Sequence, residues 1–277
     1  MSSSRVDFRI ALLAAAVAAA TVVSHAGAQP PVSSPIRQLS ATASEREHAL
    51  AAAIQYVEQA AARAAKVPGY TARMVRVNAK SGQTDTMTVD LKLRTRPFSV
   101  YMRFAEPAAG REVLYIDGWN RNRLIAHEGS GPLSLVGTIS LDPNSPRALR
   151  NGGRPITQAG IAFLARGVAD EWREAMAKGI RDDEVSIQRY PDAQLGDVPC
   201  EVLEVTLARP VTESRQTTLR LFLDRRSNLP IAMQAYGRGL EPGAAGSLIE
   251  EVRYLSLDVS RVPTAVDFDP RNPAYDF

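Results

Sequence analysis

The stretch Arg94–Glu128, RTRPFSVYMRFAEPAAGREVLYIDGWNRNRLIAHE, constrains the fold of this chain more than any other. Phe98, Val100, Met102 and Phe104 recur at every second position, with Ser99, Tyr101 and Arg103 between them. A period of two is that of a β-strand with two unlike faces. Glu106-Pro107 and Ala109-Gly110 interrupt the pattern, Glu112–Asp117 resumes it, Gly118–Asn122 turns again, and Arg123–His127 supplies a third short strand. Consecutive strands joined by short turns predict an antiparallel meander. No residue in the stretch stands as a nucleophile beside its base.

The flanking sequence extends the meander. Tyr70–Val77 and Thr86–Thr95 alternate on either side of the polar turn Ala79–Asp85, with Met87, Val89, Leu91 and Leu93 on one face of the second strand and Thr88, Asp90, Lys92 and Arg94 on a wet one. Leu133–Leu141, Asp183–Tyr190, Pro199–Ala208, Gln216–Asp224, Leu229–Tyr236 and Ser247–Leu257 also read as strands. Two segments carry the helical period instead. The first starts at a capping box, Ser44 to Glu47, places Leu50, Ile54, Val57 and Ala61 on one face, and ends at Pro68-Gly69. The second is capped by Thr157, repeats Ile161, Leu164, Val168, Trp172 and Met176, and closes at Gly179. The polar segment Asp142–Pro155 is long enough for a lid or rim. The predicted fold is α+β: a strongly curved antiparallel sheet, an unclosed β-barrel of about ten or eleven strands, with helices in its concave side.

The N-terminus reads as an export signal. Arg5 and Arg9 precede the apolar run Ile10–Val23, and Ala26-Gly27-Ala28 sets cleavage before Gln29. The run is about fourteen residues, short of the roughly 20 that span a bilayer. Residues 1–28 are therefore expected as a signal peptide, 29–44 as a flexible lead-in and 45–277 as one domain, periplasmic or secreted, without a transmembrane segment after cleavage. The net charge of +3 is carried without any Lys/Arg run, which argues against nucleic acid as a partner. Cys200 is the single cysteine, so no intramolecular disulfide forms, and its apolar setting predicts a small buried hydrophobe.

The chain offers little catalytic chemistry. His48 and His127 are too isolated for zinc-ligand spacing, Gly129-Ser130-Gly131 lacks the nucleophile-elbow pattern, and no cofactor motif occurs. His127-Glu128 is the one candidate base with an orienting carboxylate. A carrier, by contrast, needs an apolar concavity and walls that open. Its candidate wall is Met87, Val89, Leu91, Leu93, Phe98, Val100, Met102, Phe104, Val113 and Tyr115. Its candidate rim is Arg103, Arg111 and Arg123, able to meet a phosphate head group. A filled core wants the same apolar residues, so three readings stay open: a binding protein for a hydrophobic ligand, an envelope interaction module with an envelope protein partner, and a periplasmic hydrolase.

The segments R-P-F-S-V-Y-x-x-F-x-x-P from Arg96, G-R-E-V-x-Y-x-x-G-x-N from Gly110, the Asp142-Pro143 loop leading to P-I-T-x-x-G-I, and the closing Asp267-Phe268 and Asn272-Pro273 resemble family 1571 of the domains of unknown function, over Tyr70–Phe277. That family is in turn similar to the periplasmic lipoprotein carriers (LolA/LolB-like). The resemblance implies an unclosed barrel with a helical lid over an apolar cavity, and a non-enzymatic role in binding acyl chains of a lipid or lipoprotein. The Asp142–Pro155 insertion and Gly110-Arg111-Glu112 depart from the carriers' pattern.

Overall fold

Among the described residues eleven strands lie in one antiparallel sheet. They are β1 (Gly69–Lys80), β2 (Gln83–Arg94), β3 (Ser99–Glu106), β4 (Glu112–Ile116), β5 (Leu124–His127), β6 (Ile139–Leu141), β7 (Val185–Leu195), β8 (Val198–Leu207), β9 (Thr218–Asp224), β10 (Pro230–Arg238) and β11 (Ala245–Asp258). The computed structural model describes residues 49–277 except 81–82, 132–134, 136, 150–152, 212–214 and 239–244. The signal, the lead-in, the Ser44–Glu47 box and His48 therefore lie outside the described residues. The strand order β6-β5-β4-β3-β2-β1-β11-β10-β9-β8-β7 leaves β6 and β7 as free edges, so the sheet is not closed. β1 and β11, from opposite ends of the domain, pair at its centre and join two meanders into one sheet.

Among the described residues three α-helices accompany it: α1 (Ala49–Ala65), α2 (Pro146–Leu149) and α3 (Ile161–Ala177). The buried faces of α1 and α3 are rich in alanine (Ala53, Ala60, Ala61 and Ala64; Ala165, Ala169 and Ala175), so the two helices approach closely. α1 lies against β7 and β10, α3 against β9 and β10. Leu203, Val205, Leu221 and Met233 of that wing share one core with Val89, Leu91 and Val100 of the other, so the sheet wraps around the helices. The predicted α+β architecture stands.

Several local expectations need correction. Among the described residues of the Leu133–Leu141 segment, Ile139–Leu141 form a strand; residues 132–134 and 136 lie outside the described ones. The Asp142–Pro155 segment is interrupted by α2. Thr157 does not cap α3. It sits in a 3-10 turn, Ile156–Gln158, and the cap position is Gly160, whose φ of +108° suits glycine. Gly179 closes α3 as expected, at φ +74°.

The largest correction concerns the outer face of β2–β5. The sequence pattern predicts a wet face for Thr88, Asp90, Lys92 and Arg94, yet on the adjoining strands Ser99, Tyr101 and Leu114 are buried. The chain after β11 returns across this face. A 3-10 turn, Ala265–Phe268, brings Phe268 against Tyr101, Leu114 and Ile125. Tyr275 stacks on Tyr101 with ring centroids 4.0 Å apart. Fully buried Glu112 accepts hydrogen bonds from the Tyr101 hydroxyl at 2.6 Å and from the Asp276 N–H at 2.7 Å. On the other wing Cys200 is buried as expected, and burial, helped by the Asp224 charge, pushes its thiol up to about 11.

Candidate functional site

α1 and α3 fill the concave side over β7–β10 and leave the β1–β6 side partly open. The space left is a cavity of about 470 Å³. Its floor comes from alternate residues of neighbouring strands: Met74 of β1, Met87 of β2, Met102 and Phe104 of β3, Val113 of β4, Leu124 and Ala126 of β5, and Val252 of β11. These are the inward positions that period-two alternation selects. Phe163 and Leu164 of α3 form one side. Arg147 and Ala148 of α2, then Arg154, Pro155 and Ile156, border the other, so described residues of the polar insertion line the cavity.

The start of α3 is held by the sheet rather than by its own sequence. The Tyr70 hydroxyl on β1 accepts from the Ile161 N–H at 2.9 Å, and the Tyr254 hydroxyl on β11 accepts from the Gly160 N–H at 3.1 Å. Burial pushes the Tyr70 hydroxyl well above its ordinary value, reinforced by neighbouring Tyr254. Burial likewise raises Tyr254 to about 12, so both stay neutral. Just beyond Gly160 and Phe163 lies a second cavity of about 360 Å³, reached by Leu93, Phe98 and Tyr115. A third groove, about 330 Å³, lies between the β7–β8 turn and the last residues of β11, where Val198 and Val259 are exposed.

Of the ten wall residues named from sequence, Met87, Met102, Phe104 and Val113 border the first cavity and Leu93, Phe98 and Tyr115 the second. Val89, Leu91 and Val100 are buried in the core and border none of the three spaces. Of the three rim arginines, Arg111 borders the first cavity, paired with Glu128 at 2.7 Å. Arg103 turns to the outer face, 3.8 Å from Glu112. Arg123 binds the hydroxyl and carbonyl of Ser140. Sequence reading missed Arg76, Arg147 and Arg154, which also border the cavity. Arg76 had a readable signal, since it shares the inward face of β1 with Met74. The other two come from the insertion and have no periodicity to mark them.

The His127-Glu128 pair is not assembled. Glu128 faces inward to Arg111, while His127 lies opposite Glu112 in the register of β4 and β5. Among the described residues no three His, Cys, Asp or Glu side chains gather as a metal set, and no helix is long and apolar enough to cross a membrane.

The family profile described as "Protein of unknown function (DUF1571)" matches residues 67–277. This chain belongs to the DUF1571 family. A comparison with curated proteins finds no match. Solved structures give distant likenesses to the DUF1571 chain. The crystal structure of MucB aligns at 15% identity and a TM-score of 0.42, over 79% of this chain and 62% of that one, so this chain spans under two thirds of MucB. A LolA superfamily protein from Nitrosomonas europaea aligns at 12% identity and 0.33, over 78% and 96%. The Mycobacterium tuberculosis lipoprotein LppX aligns at 10% and 0.36, over 78% and 97%. At such scores these likenesses carry no weight for function.

Proposed function

We propose that this DUF1571 protein is a non-enzymatic binding protein of the cell envelope that holds the acyl part of a lipid or lipoprotein in its concave cavity. The observation that carries the proposal is the 470 Å³ space bordered by Met74, Met87, Met102, Phe104, Val113 and Val252. Its volume lies in the range of roughly 300–1,000 Å³ usual for small-molecule sites, and apolar side chains make up most of its lining. An acyl chain entering it gains about 0.8 kcal/mol per buried methylene, so affinity needs no catalytic group. The export signal read at Met1–Ala28 supports a periplasmic or secreted setting, where such a ligand would otherwise meet water. Arg147, Ala148, Arg154 and Pro155 of the insertion border the cavity, which supports a covering role for that segment. Native mass spectrometry and organic extraction of protein purified from an envelope fraction test the proposal. Co-purifying acyl species support it. Bare protein that also fails to take up added fatty acid defeats it, and leaves the reading as an envelope interaction module.

A further inference from the structure

The charges around the cavity narrow its ligand, given the acyl-binding role proposed above. Four guanidinium groups border the space, those of Arg76, Arg111, Arg147 and Arg154, against two carboxylates, Glu128 and Glu250. Arg111 and Glu128 pair with each other. The other three arginines face one carboxylate: Glu250 lies 2.8 Å from Arg76 Nη2 and 3.8 Å from Arg154 Nη2. Among the described residues no carboxylate pairs with Arg147. Arg76 is only 12% exposed, and its buried Nε has no acceptor. A buried charged donor without a partner is unfavourable unless a ligand supplies one.

The arrangement is also polarised along the strands. Arg76 follows Met74 on the inward face of β1, and Glu250 precedes Val252 on β11. Arg111 leads into Val113 at the start of β4, and Glu128 follows Ala126 past the end of β5. In an antiparallel sheet these ends coincide, so the charges gather toward one end of the cavity, level with Met87, Phe104 and Val252, and Met74, Met102 and Val113 lie behind them. Two glycines adjoin the cations, and Gly167 leaves room for one of them. A Cβ at Gly153 would stand 3.7 Å from Arg76 Nη2, and one at Gly167 only 3.0 Å from Arg154 Nη1.

We infer that Arg76, Arg147 and Arg154 form a subsite for the anionic head, phosphate or carboxylate, of an amphiphile whose tail occupies the cavity. Guanidinium forks suit both oxyanions, and Glu250 holds two of them in place until the head arrives.

Calorimetric titration of the delipidated protein with dodecyl phosphate, laurate and dodecanol, each as monomer at low salt, tests this. At least one anion should bind roughly tenfold or more tightly than the alcohol, and the tighter anion names the head. The double variant Arg147→Gln/Arg154→Gln should lose that advantage and keep its affinity for dodecanol. Glu250→Gln, which removes the competing carboxylate, should bind the anion more tightly; a purely structural Glu250 would give the opposite, and this variant carries the test if the double variant does not fold. Equal affinity for all three compounds, unmoved by the substitutions, overturns the head subsite while the tail cavity stands. Failure of all three to bind overturns the acyl-binding proposal itself.

Discussion

The hydroxyl of Tyr70 accepts a 2.9 Å hydrogen bond from the backbone N–H of Ile161, the first residue of α3. Tyr254 does the same for Gly160. No side chain of the helix itself caps this end, so two tyrosines of the central strand pair β1–β11 fix the helix that walls the cavity. Tyr70→Phe and Tyr254→Phe should each lower stability by about 1–3 kcal/mol, the cost of leaving a buried N–H without an acceptor. Denaturant unfolding of the single variants measures this.

Gly160 admits no side chain. At φ +108° an added Cβ would meet the Tyr70 hydroxyl oxygen at 2.6 Å and Leu93 Cδ1 at 2.7 Å. Gly160→Ala should therefore cost about 2 kcal/mol or more, from backbone strain and lost capping together. A lowered melting temperature with weakened near-ultraviolet circular dichroism would register it.

Glu112 fastens the C-terminal segment to the outer face through Tyr101 and Asp276. Glu112→Ala leaves both donors unpaired and should cost about 2–4 kcal/mol, while Glu112→Gln should cost less. Hydrogen exchange at Tyr275–Phe277 should rise in the same order.

The same segment should respond to acid. Burial alone would raise the carboxyl of Asp267, but the Lys92 ammonium at 2.8 Å and the Thr264 N–H outweigh it and hold the group below its ordinary value of about 3.9. A carboxyl depressed by folding stabilises the fold above its unfolded value, and that contribution disappears as pH falls through the folded one. Protection of Ala265–Phe277 should thus weaken below about pH 4, and Lys92→Met should weaken that dependence. Exchange measured from pH 6 to pH 3 checks it.

Strand pattern was legible because alternation is local: β2 buries Met87, Val89, Leu91 and Leu93 as read. The burial of Tyr101 was not legible because its cover, Tyr275, comes from the far end of the domain and leaves no trace in the alternation of β3. Thr157 looked like a cap for a similar reason, since the true acceptors sit 91 and 94 residues away. Apolar periodicity also cannot separate a residue packed into the core, such as Val100, from one facing space, such as Val113. That depends on how far α1 and α3 reach across the sheet. The arginine rim was partly hidden because Arg76 comes from β1 while Arg147 and Arg154 come from the aperiodic insertion.

The most direct measurement is photolabelling of the purified protein with a diazirine-bearing palmitate, with labelled residues located by peptide mass spectrometry. The account predicts label on the concave positions Met74, Met102, Val113 and Leu164, and its loss in Val113→Trp, which fills the cavity without entering the buried core. Label confined to the groove between Leu195 and Val259, or label at the cavity unchanged by the tryptophan, would contradict it.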